Sequence, residues 1–79
     1  YPNPFNPSAT ISFDIPEIST VELNVYDVKG SLIETLLKDT MKPGKHRYTW
    51  EPQELPSGVY FMKLTTVNQI FTRKVTYIK

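Results

Sequence analysis

Polar and apolar residues alternate along five short segments of the chain, and this period-two pattern limits what the chain can fold into. A β-strand points successive side chains to opposite faces, so each segment can bury one face and expose the other. β-branched and aromatic residues fill these segments, as is typical of strands. The residues that share the predicted inward faces are Ala9, Ile11, Phe13 and Ile15; Val21, Leu23 and Val25; His46, Tyr48 and Trp50; Tyr60, Met62 and Leu64; and Phe71, Val75 and Tyr77.

Turn-forming residues separate these segments. The stretch from Asp27 to Gly30 favours a hairpin turn in which Gly30 takes a positive φ. Pro43 and Gly44 favour the central pair of a type II turn. Short strands at this spacing are typical of an all-β sandwich. The sequence therefore predicts a small antiparallel β-sandwich of six to seven strands, with the seventh near residues 3–5.

Gly58 follows a break in the pattern at Pro52 and Pro56, and it is expected to lead the chain into the next strand. We expect Gly58 to form a turn at positive φ. A β-branched residue tolerates that backbone conformation poorly, so Gly58→Val should lower the stability of the domain.

Residues 31–40 fit two kinds of secondary structure. Their apolar residues fall at helical spacing, and Glu34 and Lys38 form a favourable i,i+4 pair for a helix. A helix this short is marginal, however, and the segment follows a hairpin turn and precedes a strand. We favour a strand with a bulge near Glu34, which would let Ile33 and Leu36 share a face. The helix remains the alternative.

The opening seven residues form a stiff motif. Its prolines fix φ and push the residues before them into extended geometry, so the motif cannot be helical. Phe5 is the large apolar residue that we expect to anchor the motif to the core as a rigid lead-in strand. A proline-rich recognition ligand is the alternative. The motif consists of Tyr1, Pro2, Asn3, Pro4, Phe5, Asn6 and Pro7.

Composition places the chain among small folded domains and excludes several functions. The 79 residues, of which 39% are hydrophobic and 22% charged, are enough for one domain, which we expect to span residues 1–79. A formal net charge of +1 gives no strong attraction to nucleic acid. The longest apolar run, from Val59 to Met62, is far shorter than the ~20 residues of a transmembrane helix. Because the chain starts at Tyr1 without an initiator methionine, we expect it to be a fragment of a larger protein.

No pattern of residues typical of an enzyme or a cofactor site is present in the sequence. His46 is the only histidine and there is no cysteine, so a structural zinc site cannot form, and we expect His46 to be packed or half-buried. The acidic residues are spread singly and fit a solvated surface. A calcium site around Asp14 and Glu17, or at Asp27, stays open but lacks EF-hand spacing. Glycine-rich phosphate loops are absent. The sequence predicts a protein without catalytic activity, metal or cofactor.

Five motifs follow one another along the chain, in residues 1–13, 25–30, 43–50, 57–64 and 72–75. Taken in this order, they resemble the type A C-terminal sorting domain of the type IX (Por) secretion system, and the resemblance covers essentially the whole chain. The fold is also similar to the Ig-like domain of the flagellar hook-capping protein, which predicts an Ig-like sandwich.

The resemblance implies a function. Such domains direct an exported cargo protein, joined at their N-terminal side, from the periplasm through the outer-membrane translocon to the cell surface or the medium. A sortase-like peptidase removes the domain in many members. On this interpretation the residues that match the late motifs of the family bind the translocon: Gly58, Val59, Tyr60, Phe61, Leu64, Arg73, Lys74 and Lys79.

Other interpretations remain open at this point. The basic residues Arg73, Lys74 and Lys79 also fit a solvated face that protects a sheet edge from aggregation. An accessory module that binds carbohydrate or the cell surface would show a planar row of exposed aromatic side chains. A structural assembly module would show a large apolar patch.

Overall fold

Six strands and no helix form within residues 8–78, which are the residues that the computed structural model describes. No helix of the length and hydropathy that would cross a membrane occurs in that range. The predicted seventh strand, the whole opening motif and the anchoring of Phe5 lie outside the described residues. The strands are β1 (Ala9–Ile15), β2 (Ser19–Tyr26), β3 (Leu32–Met41), β4 (Gly44–Trp50), β5 (Gly58–Thr65) and β6 (Ile70–Tyr77).

The strands form two antiparallel sheets that pack face to face. One sheet contains β1 and β4, paired from Ala9↔Trp50 to Ile15↔Gly44. The other has the order β3-β2-β5-β6. Strands β3 and β4 follow each other in the chain but belong to different sheets, so the chain crosses from one sheet to the other between Met41 and Gly44. The prediction of a small all-β sandwich is confirmed.

The core lies between the sheets and is built from the predicted inward faces. Alternate residues of β1, β2 and β5 are buried, as the period-two pattern predicted. Strand β6 contributes less, because Phe71 at its start is exposed and only Tyr77 at its end is buried. The buried apolar residues are Ala9, Ile11, Ile15, Val21, Leu23, Val25, Trp50, Tyr60, Met62, Leu64 and Tyr77.

The ambiguous segment 31–40 lies almost wholly in strand β3, and the register of its pairing with β2 is irregular. Leu23 pairs with Leu37 and Asn24 with Thr35, which leaves Leu36 without a partner. The next shift, between Val25 and Tyr26 on β2, leaves Ile33 without a partner in the same way. The preference for a strand is confirmed, and the irregularity lies on both sides of Glu34. Pairing with β2 gives the backbone N–H and C=O groups of this segment hydrogen-bond partners, whereas a helix this short would be only marginally stable.

The turn between β2 and β3 is closed by Asp27 and Gly30. One carboxylate oxygen of Asp27 accepts hydrogen bonds from the backbone N–H of Lys29 at 2.9 Å and of Ser31 at 3.0 Å. The N–H of Gly30 donates to the carbonyl of Asp27 at 3.0 Å, and Gly30 has a φ of 84°. A residue with a Cβ is strained at this φ, which is why glycine stands here.

Gly58 does not have the backbone conformation that we expected from the sequence. The described glycines with positive φ are Gly30 and Gly44, the latter at 131° where β4 begins. Gly58 is instead the first residue of β5 and pairs with Tyr77 in ordinary extended geometry. A Cβ added at Gly58 would meet no atom within 4 Å. The expected positive φ at Gly58 is therefore wrong, and it no longer gives a reason to expect a loss of stability in Gly58→Val.

Two glycine substitutions test the effect of backbone strain, because both sites have space for a side chain but only Gly30 has a positive φ. We expect Gly30→Val to lower the free energy of unfolding by about 1–2 kcal/mol, because a side chain at positive φ is strained even in open space. Gly58→Val is the matched control and should leave stability unchanged or slightly raised, since valine fits an extended strand. Urea denaturation followed by circular dichroism measures both. Equal losses in the two variants would contradict the assignment of strain to residue 30.

Candidate functional site

The candidate site is the hairpin formed by β5 and β6. The two strands pair along their whole length, from Gly58↔Tyr77 to Thr65↔Ile70. The turn is closed by a hydrogen bond from the N–H of Thr66 to the carbonyl of Gln69 at 2.9 Å. Strand β6 is the last strand of its sheet, so half of its backbone hydrogen-bonding groups have no strand beside them in the described structure.

The predicted recognition residues occupy three different environments. Tyr60 and Leu64 face the core and are each only 5% exposed, so a partner cannot touch them in the folded domain. Gly58, Val59 and Phe61 are half-buried, and Arg73 and Lys74 are exposed. Lys79 lies outside the described residues. The surface that a partner could contact is therefore smaller than the sequence motif.

Arg73 and Lys74 point to opposite faces of the sheet. Residues paired across antiparallel strands share a face. Arg73 pairs with the fully buried Met62, so the side chain of Arg73 leaves the strand on the core side of the sheet. Lys74 pairs with Phe61, so its side chain lies on the outer side. The guanidinium Nη1 of Arg73 donates a hydrogen bond to the carbonyl oxygen of Thr10 in β1. Arg73 thus joins the two sheets on the side where β6 and β1 lie.

A second polar contact joins the sheets on the opposite side. Glu34, in the edge strand β3, pairs with the buried Val25 and so lies on the core side of its sheet. Its carboxylate accepts a hydrogen bond from the indole Nε1 of Trp50 in β4, at 3.4 Å. A charged side chain of each edge strand therefore reaches across to the smaller sheet. Sequence reasoning missed both contacts, because neither pair is close in the chain.

The outer face of the larger sheet carries a buried amide that sequence reasoning also missed. Asn24 lies in the central strand β2 and is only 7% exposed. Its Nδ2 donates to the Glu22 carboxylate at 2.9 Å and to the Tyr26 hydroxyl at 3.4 Å. Its Oδ1 is buried and accepts no hydrogen bond. An asparagine in a predicted strand interior was the one available signal, because this residue type is disfavoured there.

His46 is half-buried and packed, as predicted. Its ring stacks on Phe13 with the centroids 5.7 Å apart, and its Nε2 lies 2.7 Å from the carbonyl oxygen of Lys42. Within residues 8–78 no three histidine or acidic side chains come together in a way that could hold a metal ion. The carboxylate of Asp27, one candidate for calcium, is engaged by the backbone of its own turn.

Comparison with known proteins identifies the family of the chain. A family model described as the secretion system C-terminal sorting domain matches residues 1–79. The chain belongs to this family. No curated protein and no solved structure matches the chain.

Membership in the sorting-domain family establishes the general role. These domains mark proteins that type IX secretion exports to the cell surface or the extracellular space. The chain is therefore a sorting signal for that system, and its partners are the secretion machinery and a cargo chain. The family is non-catalytic.

Exposed aromatic and apolar residues are the features that a carbohydrate-binding module or a structural assembly module would show. Among the aromatic residues within 8–78, Phe71 alone is exposed, so this part of the chain has no row of aromatics on which a sugar could stack. Ile18 and Val67 line one shallow hollow at an end of the sandwich, and Val67 and Ile70 line another beside it. These three exposed residues form a small apolar patch around the β5–β6 turn.

Proposed function

We propose that the chain is a non-catalytic C-terminal secretion signal that carries an exported cargo from the periplasm through the outer-membrane type IX translocon. The observation that supports this most is the match of the sorting-domain family model over residues 1–79. On this proposal residues 1–79 form a single domain of a larger protein, and the cargo precedes it in the same chain.

The β5–β6 hairpin is the part of the domain that we propose the translocon binds. Its outer strand offers unpaired backbone groups along one edge, and an extended segment of a partner can add to such an edge. The exposed side chain of Lys74 adds a positive charge beside the half-buried Phe61. Tyr60 and Leu64 support recognition indirectly, because their burial holds β5 in the sheet.

Release or attachment of the cargo at the cell surface follows transport on this proposal, after a sortase-like peptidase removes the domain. The buried residues of the two sheets come from strands within residues 9–77, so the domain has a core of its own. Cleavage on its N-terminal side would leave that core intact. The support for this step is the family resemblance together with this self-contained core.

A transport assay tests the proposal. Residues 1–79 are fused behind a periplasm-targeted fluorescent protein in a bacterium with the type IX system. We expect the reporter outside the cell with the full domain, and in the periplasm when residues 70–79 are removed or when the translocon is deleted. The matched control is the periplasm-targeted fluorescent protein without the domain, which should stay in the periplasm. Retention in the periplasm of a fusion whose domain resists protease, and is therefore folded, would contradict the proposal.

A module that assembles with other copies of itself is the alternative, and the small apolar patch around the β5–β6 turn is the surface that such an assembly would use. Sedimentation velocity on purified residues 1–79 distinguishes the two functions. A monomer at tens of micromolar agrees with a sorting signal, whereas a stable oligomer that Val67→Ser disrupts would favour assembly.

A further inference from the structure

We propose that the docking surface of the translocon extends from the β5–β6 hairpin across the outer face of the four-stranded sheet, and that the docking segment is an acidic polypeptide. The proposal rests on the proposed sorting function and adds to it the face that is bound, the chemistry of the partner and a division of labour within the basic pair. On this view Lys74 contacts the partner, whereas Arg73 serves the fold.

The register of the strands brings three lysines onto this face. Lys38 lies opposite Glu22 on β3 and β2, and Lys63 lies opposite Asn24 on β5 and β2. Lys74 lies opposite Phe61 on β6 and β5. These pairs alternate with the buried residues of β2 and β5, which places all of them on the outer side. Glu22 is the acidic residue that this register places on the same face, so three positive charges stand against one negative charge.

The lysines are free to pair with carboxylates of a partner. Within the described residues, none of Lys38, Lys63 and Lys74 forms an ion pair or a side-chain hydrogen bond. The carboxylate of Glu22 accepts a hydrogen bond from the Asn24 amide instead. The hydrogen bond from the buried Asn24 thus holds the Glu22 carboxylate along β2, the strand to which both residues belong. Unpaired positive charge on one face attracts a negatively charged partner and orients it as it approaches.

Two aromatic side chains lie among the lysines. Tyr26 and Phe61 are paired across β2 and β5 and are both half-buried. They offer an apolar surface against which the aliphatic parts of a bound segment can pack, with the lysine charges around it. An acidic segment that also carries apolar residues matches this arrangement, whereas a sugar would need a broader row of exposed rings.

Arg73 is excluded from the docking face by its direction. It starts from the core side of β6 and its guanidinium binds the carbonyl oxygen of Thr10 in the other sheet. A guanidinium used in this way is not available to a partner on the outer face. The adjacent basic residues 73 and 74 therefore have different tasks, although the sequence presents them as one motif.

Charge reversal in the secreted fusion tests the docking face. We expect Lys74→Glu, and more strongly Lys63→Glu with Lys74→Glu, to reduce secretion by on the order of tenfold or more, because like charges then face the acidic partner. The melting temperature of the purified Lys74→Glu domain should stay near that of the wild type, since Lys74 is exposed and unpaired. Lys74→Arg keeps the charge and should be secreted normally.

Two further variants complete the experiment. Lys45→Glu reverses an exposed lysine of the smaller sheet, opposite Asp14, and as the matched control should be secreted like the wild type. Arg73→Gln should lower the melting temperature by several degrees, because it removes the bond between the sheets. Normal melting of Arg73→Gln together with blocked secretion would overturn the division of labour.

The outcomes separate this inference from the function on which it rests. If the wild-type fusion is not secreted in a translocon-dependent way, the sorting function itself fails. If the wild type is secreted and the folded Lys74→Glu variant is secreted equally well, the docking face is wrong while the sorting function stands. An equal loss for Lys45→Glu and Lys74→Glu would likewise overturn the docking face, because it would show a response to total charge.

Discussion

Trp50→Ala is expected to remove most of the domain's free energy of unfolding at 25 °C. Trp50 is 3% exposed, and its ring meets that of Tyr60 edge-on with the centroids 6.0 Å apart. Its indole Nε1 also donates a hydrogen bond to the carboxylate of Glu34 in the other sheet. Removing a buried tryptophan costs about 3–5 kcal/mol. Small domains without disulfides have total stabilities near the low end of about 5–15 kcal/mol, so the loss consumes most of it.

Far-ultraviolet circular dichroism during urea denaturation measures this loss without the tryptophan signal. Trp50→Phe is the matched control, because it keeps an aromatic ring in the core while it removes the hydrogen bond to Glu34. We expect the control to lose about 1–2 kcal/mol, from the smaller ring and the missing hydrogen bond. A Trp50→Ala domain with the wild-type urea midpoint would show that the two sheets are not held together through Trp50.

Asn24→Asp is expected to cost about 3–5 kcal/mol at pH 7, the range seen when a buried charge is left without a partner. The substitution removes the Nδ2 donor that holds Glu22 and Tyr26, and it puts a carboxylate beside that of Glu22. The site is only 7% exposed, so water cannot compensate for the repulsion. Asn68→Asp, in the exposed β5–β6 turn, is the matched control and should change stability little.

The cost of Asn24→Asp depends on pH, and its sign follows from burial. Burial beside Glu22 raises the pKa of the new carboxyl in the folded domain above the roughly 3.9 of an unfolded aspartate. The part of the penalty that comes from the charge is therefore complete above the folded pKa, shrinks as pH falls and disappears below the unfolded pKa. The quantity to measure is the difference in unfolding free energy between variant and wild type from pH 7 to pH 4. A difference that stays constant over this range would rule out a buried charge as its cause.

The basic pair at residues 73 and 74 shows that residues adjacent in a sequence motif do not all belong to one binding surface. Alternation along a strand sends neighbouring side chains to opposite faces, so two adjacent cations cannot contact one flat partner together. One of the two cations can then help to hold the two sheets of the sandwich together. Arg73 does this through Thr10 on one side, as Glu34 does through Trp50 on the other.

Local patterns in the sequence were sufficient to predict the strands and most of the apolar residues that they bury. The alternation in β1, β2 and β5 predicted which residues are buried, because the pleat of a strand has a strict period of two. Residues 31–40 were harder. Their spacing is helical, and only the pairing with β2, with Ile33 and Leu36 left out of register, makes them a strand. That pairing depends on a partner strand and not on the segment itself.

Properties set by distant pairs were decided only by the tertiary structure. The sequence could not show that β3 and β4, neighbours in the chain, belong to different sheets, because strand partners are chosen by the packing of the whole core. The burial of Asn24 depends on the strands on both sides of β2, which lie far apart in the chain. The conformation of Gly58 was misjudged for a similar reason: its pairing with Tyr77 keeps it extended. A single sequence records each residue's own preference, whereas these features arise from contacts between residues that the chain brings together only when it folds.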